Sequence, residues 1–354
     1  MRYLISIEHP AWANQYKIII KKLISEGHKV KVLLINQEVA QNLLDSYGIK
    51  YEKILNTTGS NFLIKSFIFI YSLIYMFIAA FRFKPNYYIG RASPMMAIIS
   101  WLFNKPHIIF EDTERSVISL WFCKRISKKI ITPNNFNTSL VGDSHDPVEG
   151  FKELFYLHPN VFCPDPSVCS KLQLKKGERF ILLRFISWNA SHDLGQSGFS
   201  EDFKIKMVSE LSLKYKVFIS SEYPLSGDLL KYKLNTNPNQ IHSVLYYASA
   251  LFTESGTMSA ESAIIGTPVV YVSTLAKYMG YIKDLQNKYG LLYYFDNENE
   301  GYKRFLDLLS PEVKKEWKQK KEILDRSVID MNKYYFNEIT KYNKSNNVLK
   351  QTNI

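Results

Sequence analysis

Short hydrophobic runs alternate with longer amphipathic stretches through most of the chain, and this alternation predicts a parallel α/β architecture. Tyr3–Ile7 is a strand, followed by a loop through His9 and Pro10. A helix over Asn14–Glu26 stops at Gly27, and Val30–Ile35 is the next strand. The pattern continues with the strand Tyr87–Ile89, a helix near Pro94–Phe103 and the strands His107–Phe110 and Lys129–Ile131. These strands are rich in Ile, Val and Leu without strict alternation, as expected of a sheet covered on both faces. From Thr132 to Gly177 the periodicity fades into Asn, Pro, Asp and His, which predicts connecting loops. A second alternation then begins. Its strands are Arg179–Ile186, Lys216–Ser220, Ala250–Glu254, Pro268–Val272 and Leu291–Phe295, with helices over Glu201–Leu213, Asn239–Tyr247 and Met258–Ile265. Long Lys- and Glu-rich helices follow from about Pro311 to Tyr342, before a polar tail.

The expected fold class is α/β, with two Rossmann-like, doubly wound parallel-sheet domains. The divisions predicted are 1–165, 166–325 and a C-terminal helix and tail, 326–354. In such a pair the ligand site is expected in a cleft between the domains, at the carboxyl ends of the strands. The run Ser66–Phe81, SFIFIYSLIYMFIAAF, sits between Lys65 and Arg82 and is almost wholly apolar. It is shorter than the roughly 20 residues of a membrane span. Three readings stay open: a buried core helix, a helix lying in a membrane interface, or a true span. Tyr71, Tyr75 and the cationic ends suit the interface.

Composition narrows the classes. The 354 residues are 46% hydrophobic, enough for ordinary cores, and the formal charge is +12. A basic balance attracts anions: nucleic acid, anionic lipid or phosphorylated substrates. Nucleic acid is not expected, because no helix-turn-helix, zinc-finger or RNA-binding aromatic signature occurs. The three cysteines form no C-x-x-C pair, which points to a reducing compartment and a cytoplasmic location. No metal site is expected, since H-E-x-x-H and convincing carboxylate arrays are absent, and no cofactor is expected.

The candidate chemistry lies at strand ends. The strand at Ala250–Glu254 runs into Ser255-Gly256-Thr257 and a helix beginning at Met258. Gly256 permits a tight turn and close ligand approach, and Ser255 or Thr257 can cap the helix, leaving N–H groups for an anion. Glu261 lies one turn along and is placed to accept ribose hydroxyls; the alternative is an ordinary capped helix with a solvent-facing Glu. Arg184, with Ser187, Asn189, His192 and Asp193, closes the first strand of the second half and suits a phosphate. A polar loop packing the domains together is the competing reading. Ser220-Ser221-Glu222 has weaker support. In the first half, Glu111-Asp112-Thr113-Glu114 follows a strand; crowded carboxylates resist joint ionisation, which can raise one pKa and make an acid or base. A helix-cap cluster is the plainer alternative. His9 follows the first strand and is a candidate base near neutral pH. Lys152 and Tyr156 lie in a stretch of opaque chemistry.

The ordered set His9-Pro10, Ser93-Pro94, Glu111–Glu114, Thr132-Pro133, Glu149–Leu154, Tyr156–Asn160, Pro164-Asp165, Arg184, Ser187–Asp193, Ser255–Glu261 and Gly266-Thr267-Pro268 resembles the domain of unknown function 354 family. That family is similar to the uridine diphosphate (UDP) N-acetylglucosamine 2-epimerases and to GT-B glycosyltransferases. The resemblance implies a GT-B-like fold with the nucleotide on the second domain, and an acid/base glutamate near Glu111–Glu114. The function it implies is glycosyl transfer from a nucleotide-activated sugar, UDP-linked, in surface glycan assembly. Catalysis would fall to Asp112, Glu114 and His9. The donor would be held by Arg184, Ser187, Asn189, His192, Ser255, Gly256, Thr257, Met258 and Glu261. The partners expected are the nucleotide sugar, a glycan or lipid-linked acceptor, and the inner membrane face through Ser66–Phe81. A 2-epimerase and a non-catalytic nucleotide-sugar binder are the alternatives.

Overall fold

The computed structural model describes residues 1–35, 38–54, 62–114, 116–187 and 198–351. In chain order the elements of the first half are β1 (Arg2–Ile7), α1 (Pro10–Ser25), β2 (Lys29–Leu34), α2 (Glu38–Ser46), β3 (Glu52–Lys53) and α3 (Phe62–Phe83). Then come β4 (Tyr87–Gly90), α4 (Pro94–Leu102), β5 (His107–Phe110), α5 (Val117–Ile126), β6 (Lys129–Pro133), β7 (His145–Val148) and α6 (Leu154–Leu157). The second half holds α7 (Ser167–Lys171), β8 (Phe180–Phe185), α8 (Glu201–Ser212), β9 (Lys216–Ser221), α9 (Ile241–Tyr247), β10 (Ala250–Thr253) and α10 (Gly256–Ile265). It ends with β11 (Val269–Val272), α11 (Gly280–Asn287), β12 (Tyr293–Phe295), α12 (Glu298–Asp307), α13 (Val313–Ser327) and α14 (Met331–Gln351).

Two compact units result: Met1–Tyr156 with Ile329–Ile354, and Leu157–Val328. The last helix thus belongs to the first unit instead of standing apart as a third segment. Tyr335 Oη donates to the Ile108 carbonyl at 2.8 Å and Tyr3 Oη to that of Ile339 at 3.4 Å, which fastens α14 to the first sheet.

The first unit holds a seven-stranded sheet in the order β3-β2-β1-β4-β5-β6-β7, with each neighbour parallel. Its central strands are buried throughout: all of β4 and β5 and the last five residues of β1. That burial explains why their sequences are apolar runs rather than alternations. The chain winds from β1 towards β3, then returns to β4 and winds the other way, so the switch point lies between β1 and β4. Right-handed crossovers place α1 and α2 on one face and α3, α4 and α5 on the other. The second unit repeats the scheme with five parallel strands, β12-β11-β10-β8-β9, and a switch point between β8 and β10.

One expectation needs correction, and one open reading is closed. The stretch expected to be loops contains β7, an edge strand paired to β6. Its sequence HDPV does not look like a strand, but an edge tolerates Pro147 because one row of N–H groups needs no partner. The apolar run is not a buried core helix either. Only 22% of the Ser66–Phe83 window is buried. Ser72, Met76, Ala79 and Ala80 form the stripe against the sheet, and small residues there let the backbone approach closely.

Candidate functional site

In the second unit the switch point places β8 and β10 side by side, with Arg184 registered against Thr253. The end of β10 turns directly into α10. Ser255, in extended backbone, is the cap: its Oγ accepts the Met258 N–H at 3.3 Å. Thr253 Oγ1 in turn accepts the Ser255 N–H at 2.8 Å and fixes the turn. The N–H groups of Gly256 and Thr257 then lie at the start of the helix, where its dipole favours negative charge. Ser255, Gly256 and Thr257 are half-buried and Met258 is buried. A side chain at Gly256 would meet Tyr271 Oη and Tyr281 Oη at 3.3 Å and Met279 Sδ at 3.4 Å. A side chain here is therefore tight, its neighbours having to give by a few tenths of an ångström.

Arg184 does not stand open at its strand end. Its Nη2 pairs with Glu222 Oε1 at 2.6 Å and its Nη1 donates to Ser220 Oγ at 3.0 Å. Ser187 joins the same carboxylate, its N–H and hydroxyl donating to Glu222 Oε2 at 3.1 and 3.2 Å. The cluster borders a cavity of about 360 Å³ lined by Ser220, Ser221, Glu222, Tyr223 and Lys233 among others. Ser220-Ser221-Glu222, only weakly suggested by the sequence, therefore belongs with Arg184. Asn189 and His192 lie outside the described residues. Another residue, absent from the sequence candidates, ties two described residues together. Glu254, fully buried, accepts the Ile186 N–H at 3.2 Å and the Phe199 N–H at 2.6 Å.

Glu261 is not solvent-facing. It is buried, and its Oε1 lies 3.0 Å from His242 Nε2 on α9. The imidazole orders this carboxylate one turn beyond the helix start.

In the first unit the strand ends gather a buried ion network. Arg91 follows β4, Glu111 and Asp112 follow β5, and one guanidinium pairs with both carboxylates. Its Nη1 also donates to Gln15 Oε1 at 3.4 Å and its Nη2 to Thr113 Oγ1 at 3.2 Å. Glu111 further accepts the N–H groups of Ala92, Asp112 and Thr113 at 3.1, 3.0 and 2.9 Å. Lys152 completes the network, its Nζ 3.2 Å from Asp112 Oδ2 and 3.3 Å from Glu153 Oε1. Crowding therefore does not raise the Asp112 pKa. Burial pushes this carboxyl up, but Arg91 and Lys152 outweigh it and hold it below the ordinary carboxylate range. Lys152, whose chemistry the sequence left opaque, is committed to Asp112. Tyr156 is buried too, with Lys17 Nζ 5.6 Å from its ring centre.

The other two catalytic candidates sit apart from this network in kind. Glu114 is half-buried and its Oε1 accepts the Asn137 N–H at 2.9 Å. His9 is exposed and caps α1: its Nδ1 accepts the Ala11 N–H at 3.2 Å. An accepting Nδ1 leaves the proton of the neutral ring on Nε2, which makes that atom a donor.

The carboxyl whose pKa does rise is Glu8, directly after β1 and absent from the sequence candidates. Burial pushes it up, against the opposing pull of the Ser93 and Ser6 hydroxyls. Its Oε1 is enclosed and receives no hydrogen bond among the described residues. Because folding favours the protonated form, Glu8 contributes most below the unfolded pKa of about 4.3, and the contribution is lost as pH rises through the folded value. Glu8→Gln is thus expected to gain stability over the wild type with increasing pH. Thermal unfolding of both proteins at acid and neutral pH checks this; a difference constant with pH contradicts it.

Among the described residues no group of three or more His, Cys, Asp or Glu side chains is arranged to hold a metal ion.

No family model matches the chain, so the resemblance to the domain of unknown function 354 family gains no support, and no curated protein matches it in sequence. Solved structures do match it in fold. A Listeria monocytogenes protein assigned as a UDP-N-acetylglucosamine 2-epimerase aligns with TM-score 0.70 at 14% identity, over 98% of this chain and 97% of its own. The Neisseria meningitidis UDP-GlcNAc 2-epimerase, bound to UDP-GlcNAc, aligns with TM-score 0.63 at 12% identity, over 94% and 96%. The glycosyltransferase VinC, in complex with dTDP, gives 0.62 at 13%, over 97% and 100%. The chain has the two-domain parallel α/β fold common to UDP-GlcNAc 2-epimerases and GT-B glycosyltransferases.

Proposed function

We propose that this chain is a GT-B-like glycosyltransferase that takes a nucleotide-activated sugar, UDP-linked, as donor in glycan assembly. The observation that carries the nucleotide half is the switch point of the second unit. There the α10 start and Arg184 lie at the ends of adjacent strands. The N–H groups of Gly256 and Thr257 hold the diphosphate, with Ser255 and Met258 shaping the turn. Arg184 and Ser187 exchange Glu222 for phosphate oxygens as the donor arrives. Glu261, ordered by His242, accepts ribose hydroxyls. Asn189 and His192 complete the donor-binding set. Together these groups stabilise the leaving diphosphate.

The state of Asp112, the candidate at the end of β5, supports transfer over epimerisation. Epimerisation needs a carboxyl that gives and takes a proton, whereas Asp112 is held as an anion by Arg91 and Lys152. Asp112 then serves to fix the strand ends. Glu114 presents its second oxygen to the acceptor hydroxyl as base, and His9 donates through Nε2. The acceptor is a glycan or a lipid-linked sugar.

Incubation with UDP-sugars, with and without a panel of glycan and lipid-linked acceptors, tests the reading. Turnover only in the presence of an acceptor, reduced in Glu114→Gln, is the expected outcome. Epimer formation without acceptor would replace transfer by 2-epimerisation. Binding with no turnover on any acceptor would leave a nucleotide-sugar binder.

A further inference from the structure

We infer that the first unit docks on an anionic lipid bilayer through the joined outer faces of α3, α4 and α5, with α3 lying in the plane of the interface. Between Phe67 and Phe81 the outer stripe of α3 is apolar: Phe67, Ile70, Ile74, Phe77, Ile78 and Phe81 are all exposed, Phe67 and Phe81 at 63%. Their spacing is that of one helix face. The opposite stripe, Ser72, Met76, Ala79 and Ala80, is buried, and the last three pack with Leu4, Leu33 and Tyr88 of the sheet. The helix is therefore amphipathic in an unusual sense, with one apolar face in the core and the other turned outward.

The outward face does not end with α3. The ring of Phe77 packs 5.3 Å from that of Phe103 at the end of α4. Beside it Trp101 is 66% exposed, and on α5 Ile118 is 74% exposed with Trp121 also open. α3 packs beside α4 and α4 beside α5. The three form one apolar surface of the kind that marks an interaction site.

Charge selects the occupant. The stretches 62–84, 94–105 and 117–129 contain no Asp or Glu. Arg82, Lys84, Lys105, Lys124, Arg125 and Lys128 follow the apolar positions, clustered towards the C-terminal ends of their helices. Arg125 stacks over Trp121 with its guanidinium 4.0 Å from the ring. Long cationic side chains beside tryptophans are suited to the headgroup layer, the cation to phosphate and the ring to the acyl boundary. A second copy would bring the same cations face to face in an isologous contact. Topology excludes spanning: β3 and β4 flank α3 and join one sheet, so both ends of the helix stay on one side.

The test uses the full chain and vesicles, with no donor or acceptor, so its failure leaves the sugar chemistry untouched. Co-sedimentation is expected with phosphatidylcholine vesicles carrying about one quarter phosphatidylglycerol, falling roughly tenfold or more with phosphatidylcholine alone or at high salt. The triple variant Phe67→Ser, Ile74→Ser, Ile118→Ser alters only exposed positions, so it should keep the wild-type circular dichroism. It is expected to bind roughly tenfold more weakly. Tryptophan emission should shift to the blue on binding, and Trp101→Phe with Trp121→Phe should remove most of that shift. Failure to bind anionic vesicles, or unchanged binding by the triple variant, overturns the inference. So does a solution dimer that the triple variant converts to monomer without any vesicle affinity.

Discussion

Replacing Arg91 by methionine is expected to destabilise the first unit by about 3–5 kcal/mol. The substitution keeps an unbranched side chain of similar reach but removes the one cation that pairs with both Glu111 and Asp112. Both carboxylates are almost fully buried, so water cannot take its place. Lys152 remains beside Asp112. Glu111 is left with only backbone N–H groups, and an uncompensated buried charge is far costlier than a lost surface pair. Thermal unfolding of a unit this size should drop by roughly 6–20 °C. A companion variant separates charge from packing. Arg91→Met combined with Glu111→Gln and Asp112→Asn removes the stranded charges and should recover part of the loss. If the single and triple variants melt alike, the network is not an electrostatic one.

Gly256→Val is expected to weaken UDP binding by about 10²-fold, comparable to losing a preorganised donor for phosphate. A Cβ there falls 3.3 Å from both Tyr271 Oη and Tyr281 Oη, tighter than ordinary contact. Branching at that carbon fills the space over the N–H groups of the helix start. Gly256→Ala adds a single methyl group and should lie between the two. Both variants should remain folded, because the tyrosine hydroxyls and Met279 need to yield only a few tenths of an ångström for Cβ. Calorimetric titration of UDP into the three proteins gives the order; equal affinities would remove the nucleotide from this turn.

How far the residues could be read beforehand depended on where their partners lie in the chain. β5 was legible to the residue, since a buried parallel strand is a plain apolar run and His107–Phe110 is bounded by polar ends. The Ser255 cap was legible for the same local reason: strand, turn and helix are contiguous. α5 was not. Ile118 and Trp121 are exposed, so Val117–Ile126 lacks the polar outer face that reveals a helix. The ion network was half visible. Glu111 and Asp112 stood out as neighbours, but their counterions come from the end of β4 and from Lys152. Without them the crowding argument missed that Asp112 is held below the ordinary carboxylate range. A signal was present in Arg91 itself, a cation directly following the apolar strand YYIG. Glu8 carried the same kind of signal after β1. Glu254, which accepts the Ile186 and Phe199 N–H groups, was similarly hidden by sequence distance, and Glu222 was noted but not as the partner of Arg184.

The central claim is that the nucleotide sits at the switch point of the second unit, and a crystal structure of the UDP complex tests it most directly. The expected result is a diphosphate on the Gly256 and Thr257 N–H groups, with Arg184 turned from Glu222 to a phosphate oxygen and ribose on Glu261. UDP bound elsewhere, with Arg184 still paired to Glu222 and the α10 start unoccupied, would contradict it.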